Sequence, residues 1–156
     1  MDIGKEKKKK VVAVSGGFDP IHVGHVRLFE RAKKHGDKLI VILNNDNWLR
    51  KKKRHVFMPE NERKEVIEAL SVVDEVILTS HALNTEDMSV CDALRKILPD
   101  VFANGGDRNV GTTPEVAVCR ELGIEEMYGV GEGGKVQSSS WLLSKYLDSA
   151  THPKED

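Results

Sequence analysis

The tightest constraint on the fold is the texture of five apolar runs. Val11–Val14, Leu39–Leu43, Glu75–Leu78, Asp100–Ala103 and Glu125–Val130 are short, and they read as continuous stretches rather than alternating ones. A strand that faces water on one side alternates polar and apolar residues, whereas a strand covered on both sides does not. Between these runs lie segments with helical spacing: His22 to His35, Pro59 to about Leu70, Glu86 to Ile97, Pro114 to Leu122 and Ser138 to Leu147. Strands that alternate with helices are joined by crossovers, which make the sheet parallel and lay helices over it. The expectation is an α/β chain: one single-domain, Rossmann-like, doubly wound sheet of about five parallel strands with helices on both faces.

Punctuation supports these boundaries. Gly36 and Gly123 stand where helix C-cap glycines belong, and Pro59, Glu60 and Glu62 suit a helix start. No internal repeat or linker interrupts the pattern. Residues 1–10 read as a charged lead-in, 11–148 as the domain and 149–156 as a frayed tail. At 156 residues, 39% hydrophobic and 31% charged, the chain can bury a core without disulfides or a structural metal. Its two cysteines, Cys91 and Cys119, have no paired spacing and read as reduced thiols. No apolar run approaches the ~20 residues of a membrane span, and the charged N-terminus is unlike a signal peptide. A cytoplasmic protein is expected, with no membrane partner. The net charge of −1 argues neither for nor against nucleic acid. The basic run Lys5–Lys10 reads as a solvated lead-in, so no nucleic-acid partner is expected.

Ligands of parallel α/β sheets bind outside the carboxyl ends of the strands, so the segments just past the strands matter most. After the first strand comes Ser15-Gly-Gly-Phe-Asp-Pro-Ile-His-Val-Gly-His25. Gly16 and Gly17 allow backbone to approach a ligand closely. A helix starts just beyond, and its free N–H groups favour phosphate. His22 and His25, three apart, share one side of its first turn, and Gly24 between them leaves room. Two imidazoles there can donate to phosphate oxygens and stabilise charge in a phosphoryl or nucleotidyl transfer. They can also be half of a metal site, but no third clustered His or Cys is visible. Ordinary surface histidines remain the other alternative. The segment is neither a GxGxxG nor a GxxxxGK[ST] motif.

This segment resembles the GxFDxxHxGH signature of the nucleotidyltransferases that include cytidylyltransferases and sugar-phosphate adenylyltransferases. Gly16, Phe18, Asp19, His22, Gly24 and His25 fall in register. The family commonly has Thr or Cys where this chain has Gly17. The resemblance extends over nearly the whole chain. The polar loop expected over Asn44–His55 contains Arg50-Lys-Lys-Lys-Arg54; by itself such a run is usually a solvated face. Lys52 and Arg54 fall where glycerol-phosphate cytidylyltransferases carry a basic pair, and a lid closing over a triphosphate is the physical counterpart. Arg63 falls on a further basic position of those enzymes. Leu98-Pro-Asp-Val-Phe-Ala-Asn-Gly-Gly-Asp107 resembles a stretch of heptose-1-phosphate adenylyltransferases, which favours ATP over CTP. Gln137, Ser138 and Ser139 fall on the segment that meets the β and γ phosphates. Many relatives carry an arginine just before it, where this chain has Gly-Glu-Gly-Gly-Lys135.

The resemblance implies transfer of AMP from ATP to a phosphorylated acceptor with release of pyrophosphate, with a heptose-like sugar 1-phosphate as acceptor. The alternatives are a cytidylyltransferase making a CDP-polyol or CDP-glycerol, an FMN-dependent FAD synthase, and a nucleotide-binding module without turnover. His22, His25, Lys52 and Arg54 are the implied catalytic residues. Gly16, Gly17, Phe18, Gly24, His25, Gly105, Asp107, Gln137, Ser138 and Ser139 are the implied nucleotide contacts, and Asp19 and Arg63 the acceptor contacts. Mg²⁺ is expected with the nucleotide but without a protein cage. A homodimer is expected because relatives commonly form one.

Overall fold

The structure is a computed structural model that describes residues 8–105, 113–130 and 137–151. Five parallel strands form one sheet in the order β3-β2-β1-β4-β5. They are β1 (Val11–Gly16), β2 (Lys38–Leu43), β3 (Glu75–Leu78), β4 (Val101–Gly105) and β5 (Glu125–Val130). β1 is central, pairing with β2 from Val11↔Lys38 to Gly16↔Leu43 and with β4 at Val12↔Val101. The chain winds outward from β1 to β2 and β3, then returns to the other side of β1 for β4 and β5. The gap between the carboxyl ends of β1 and β4 is therefore the topological switch point, where such sheets bind ligands.

The core divides by strand periodicity. Val12, Val14, Leu39, Val41 and Leu43 face one way, against Phe29 and Ala32 of α1 (Val23–Lys33) and Ile67 of α3 (Glu60–Glu68). Ala13, Ile42 and Phe102 face the other way, against Leu94 of α4 (Cys91–Ile97) and Val118 of α5 (Pro114–Leu122). Successive residues of one strand thus serve opposite layers, which explains the unbroken apolar runs. Cys91 and Cys119 lie in the second layer as free thiols. Burial, followed by the nearby Glu126 carboxylate, pushes the Cys119 thiol up to about 12. Among the described residues no helix is long and apolar enough to cross a membrane.

Three stretches differ from the sequence expectation. The segment expected as a loop over Asn44–His55 contains a helix, α2 (Asp46–Lys53). Its N-cap is Asn45, whose side chain accepts the Trp48 N–H, and it ends on Arg54 in a left-handed conformation. The helix expected from Glu86 begins only at Cys91. Asp87 and Ser89 instead form local turns, the Asp87 carboxylate accepting the Ser89 N–H at 2.8 Å. The last helix, α6 (Ser139–Thr151), continues through residues expected to fray.

Candidate active site

Both histidines sit at the head of α1. His22 is its N-cap and His25 its third residue, and the two close a reciprocal capping box. The His22 Nδ1 accepts the Gly24 N–H at 3.1 Å, and the His25 Nδ1 accepts the His22 N–H at 3.2 Å. An imidazole nitrogen that accepts carries no proton, so each neutral ring keeps its proton on Nε2. The rings stack with centroids 3.6 Å apart and an interplanar angle of 24°. Burial, then the neighbouring His22, then the charge of Lys53, push His25 down to about 3. The backbone thus holds His25 as a neutral Nε2–H donor, suited to a phosphate oxygen.

Phe18 supports this arrangement from below. Its φ of 48° lies in the left-handed region, and its ring meets His25 and Phe29 edge-on at 4.8 and 5.0 Å. The folded-back ring also explains Gly16, where a Cβ would lie 2.8 Å from the Phe18 Cζ. At Gly17 the obstruction comes from α2: a Cβ there would lie 2.9 Å from Leu49 Cδ2 and 3.2 Å from Trp48 Cζ3. The Trp48 indole N–H donates to the Met88 carbonyl at 2.9 Å. An indole pinned from its far edge therefore occupies the space that a Thr or Cys side chain would need.

The basic residues lie on and just beyond α2. Lys52 and Arg54 are exposed and Lys53 is half-buried. Lys53 is the cation whose field reaches His25, and sequence reasoning passed over it. The missed signal was periodicity: Leu49 is buried, and the next position one turn along on the same side is Lys53.

Asp19 and Arg63 do not occupy the positions expected of acceptor ligands. Both are completely buried. The Asp19 carboxylate accepts the backbone N–H groups of Phe57 and Met58 at 2.7 and 2.6 Å. The Arg63 guanidinium donates to the carbonyls of Met58, Gly17 and Asn44 and to the Asp46 carboxylate, at 2.7 to 2.8 Å. Neither side chain presents surface to an acceptor.

At the other wall, the Ser139 hydroxyl donates to the Pro20 carbonyl at 2.8 Å, bringing the head of α6 against the histidine loop. The Ser138 hydroxyl accepts the Trp141 N–H at 3.4 Å, and the Gln137 side-chain oxygen accepts the Ser138 N–H. These groups order the helix start, where backbone N–H groups collect. Gly105 ends β4 across the switch point; Asp107 and Lys135 lie outside the described residues. Ser80, His81, Ala82 and Thr85 line a groove of about 680 Å³ with Ile40 and Ile77, and neither His22 nor His25 is part of its lining. Among the described residues no cluster of His, Cys, Asp and Glu could hold a metal ion.

The paired imidazoles, the Lys53 charge that reaches His25 from α2 and the head of α6 bonded to the histidine loop all gather past the carboxyl end of β1, where parallel sheets bind ligands. Residues 13–129 match the cytidylyltransferase-like family model, and the chain belongs to that family. It is 45% identical over 101 residues to the FAD synthase of Ferroglobus placidus, covering 65% of this chain and 61% of that one. It is 40% identical over 122 residues to the FAD synthase of Thermococcus onnurineus, covering 77% and 78%. The bifunctional protein HldE of Syntrophotalea carbinolica is 34% identical over 155 residues, covering 95% of this chain but 29% of its own length. Among solved structures, a lipopolysaccharide core biosynthesis protein from Thermoplasma volcanium superposes with a TM-score of 0.64 at 27% identity, covering 78% of this chain and 95% of that one.

Proposed function

We propose that the chain transfers AMP from ATP to a phosphorylated acceptor, with FMN the first acceptor to test. The observation that carries this reading is the pair of neutral, backbone-oriented imidazoles beside a cationic helix at the switch point. An acceptor phosphate oxygen attacks the α-phosphorus in line, the α–β bridging bond breaks, and pyrophosphate leaves with its electron pair. The Nε2–H groups of His22 and His25 stabilise the α-phosphate as charge builds on it. Lys52, Lys53 and Arg54 neutralise the β and γ groups, and the N–H groups at the head of α6 meet the triphosphate from the opposite wall. Such catalysis is positioning and charge stabilisation, with no covalent enzyme intermediate. A Mg²⁺ bound to the triphosphate would supply further charge neutralisation there, beside Lys52, Lys53 and Arg54.

The FAD synthases of Ferroglobus and Thermococcus support FMN, since FAD is FMN bearing an adenylate. A sugar 1-phosphate is the second reading, supported by the HldE match spanning 95% of this chain. The test is pyrophosphate release with ATP or CTP, Mg²⁺ and either FMN, hexose and heptose 1-phosphates, or glycerol 3-phosphate. FAD formation from ATP and FMN is the expected result. Pyrophosphate only with CTP moves the reading to cytidylyl transfer, and none with any pair overturns it.

A further inference from the structure

The basic helix is tethered at both ends to the loop that carries the histidines. At its start, the Asp46 carboxylate accepts from the same Arg63 guanidinium that donates to the Gly17 carbonyl. Beyond its end, the N–H groups of Phe57 and Met58 are held by Asp19. Both tethers land within Gly17–Asp19, a few residues before His22. The Met58 residue is gripped twice, its N–H by Asp19 and its carbonyl by Arg63. Arg63 also holds the Asn44 carbonyl just past β2. One buried anion and one buried cation thus join the histidine loop, the end of β2, the start of α2 and the lead into α3.

We infer that Asp19 and Arg63 are positioning residues: together they fix where the cations of α2 stand relative to His22 and His25. The placement rests on the nucleotidyltransferase reading for its consequence in turnover, though not for its geometry. In-line transfer needs the α-phosphate on the imidazoles and the β and γ groups on the cations at the same time. A shift of about 1 Å between two such groups can cost ~100-fold in rate. Only a planar fork with five donors reaches three carbonyls and a carboxylate at once. A lysine keeps the charge but cannot make that set of bonds. The same atoms explain why these two charged side chains are fully buried: every oxygen and nitrogen named above is spent on the frame.

The test compares Arg63→Lys with Asp46→Ala, which cuts only the tether to α2 and leaves the carbonyl bonds. Steady-state kinetics and amide hydrogen exchange are measured on the full chain. Each variant is expected to lose kcat, by up to ~100-fold for Arg63→Lys, with KM for the acceptor within about threefold. Exchange should rise over residues 46–58 while β1 and β2 stay protected. In a Lys53→Ala background the further loss from Asp46→Ala should be much less than multiplicative, because the cation being positioned is gone. A raised acceptor KM at unchanged kcat would mean direct acceptor contact and would overturn the inference. So would losses that multiply fully, or a lower melting temperature with unchanged kcat. If the wild-type chain releases no pyrophosphate with any acceptor, the transfer reading fails by itself. The exchange experiment then decides the clamp: unchanged protection over 46–58 overturns it.

Discussion

The two edges of the sheet use the same hydrogen bond for different ends. At the amino edge, Asp37, Asp74 and Asp100 accept the N–H groups of Lys10, Leu39 and Val11 at 2.8 to 2.9 Å. At the carboxyl edge, Asp19 accepts those of Phe57 and Met58. The difference is water. Asp37 and Asp74 are exposed and Asp100 half-buried, whereas Asp19 and its counterpart Arg63 have no exposed surface. Solvated carboxylates finish strand ends, and water can replace them. Buried ones hold loops that carry chemistry, and nothing replaces them. Substitutions at the carboxyl edge should therefore cost both stability and turnover, and those at the amino edge little of either.

The largest effect is expected at Arg63. Arg63→Ala leaves the Asp46 carboxylate and three carbonyls without their donor. Removing one partner of a buried ion pair costs about 3–5 kcal/mol. Chemical denaturation should show a loss of that size, and a loss under 1 kcal/mol would mean that water reaches the site and the contrast between the edges is false.

His25→Ala comes next and should separate turnover from folding. Losing one oriented donor of this kind costs about 10²–10³-fold in kcat, while circular dichroism should stay unchanged. The pH dependence sharpens the point. With its pKa pushed down to about 3, His25 stays neutral as pH falls through 6.5, so it should add no step to kcat/KM there. For stability the sign is the reverse of a salt-bridged histidine. The unfolded chain takes up a proton near 6.5 that the folded one refuses until about 3, so stability falls as pH drops across that window. Melting temperatures measured between pH 7 and 4 should decline less steeply for His25→Gln. Equal slopes would remove His25 as the cause.

How far the sequence revealed this contrast depends on the range of the interactions. The strands, their parallel winding and the histidine turn are local patterns, and they were legible: Val11–Val14, the Gly pair and the His22/His25 spacing need no distant partner. The helix over Asp46–Lys53 was hidden by charge density, though its Asn45 cap and buried Leu49 were there to be read. Asp19 and Arg63 were legible as important but not in their role. Charged residues are almost never fully buried unless paired; apart from the Asp46 carboxylate that meets Arg63, their partners are backbone atoms of Gly17, Asn44, Phe57 and Met58, which no side-chain pattern encodes. Gly17 shows the same limit. It reads as a departure from the Thr or Cys common at that position, and its cause is the side chains of Leu49 and Trp48, which reach it from α2.

That pair gives the third prediction. Gly17→Thr should drive a Cβ into Leu49 and Trp48 and destabilise by about 1–3 kcal/mol, the usual cost of overpacking. The cost should shrink in a Trp48→Ala background, measured as a coupling energy between the two sites. Additive losses would show that Trp48 is not the obstruction.

The smallest effect belongs to the amino edge and completes the comparison. Burial alone would raise the Asp74 carboxyl, but the Lys33 ammonium, the Leu39 N–H and Lys38 outweigh it and hold the group below its ordinary range. Its stabilising contribution is therefore present above the ordinary carboxylate pKa and lost as pH falls below it. Asp74 is largely solvated, so Asp74→Asn removes an exposed ion pair with Lys33, worth about 0–1 kcal/mol. An asparagine oxygen still accepts the Leu39 N–H. Denaturation at pH 7 in low and high salt should give a small loss that salt erases, since screening weakens an exposed pair and leaves a neutral hydrogen bond. A loss as large as that of Arg63→Ala would show that exposure does not set the difference between the two edges.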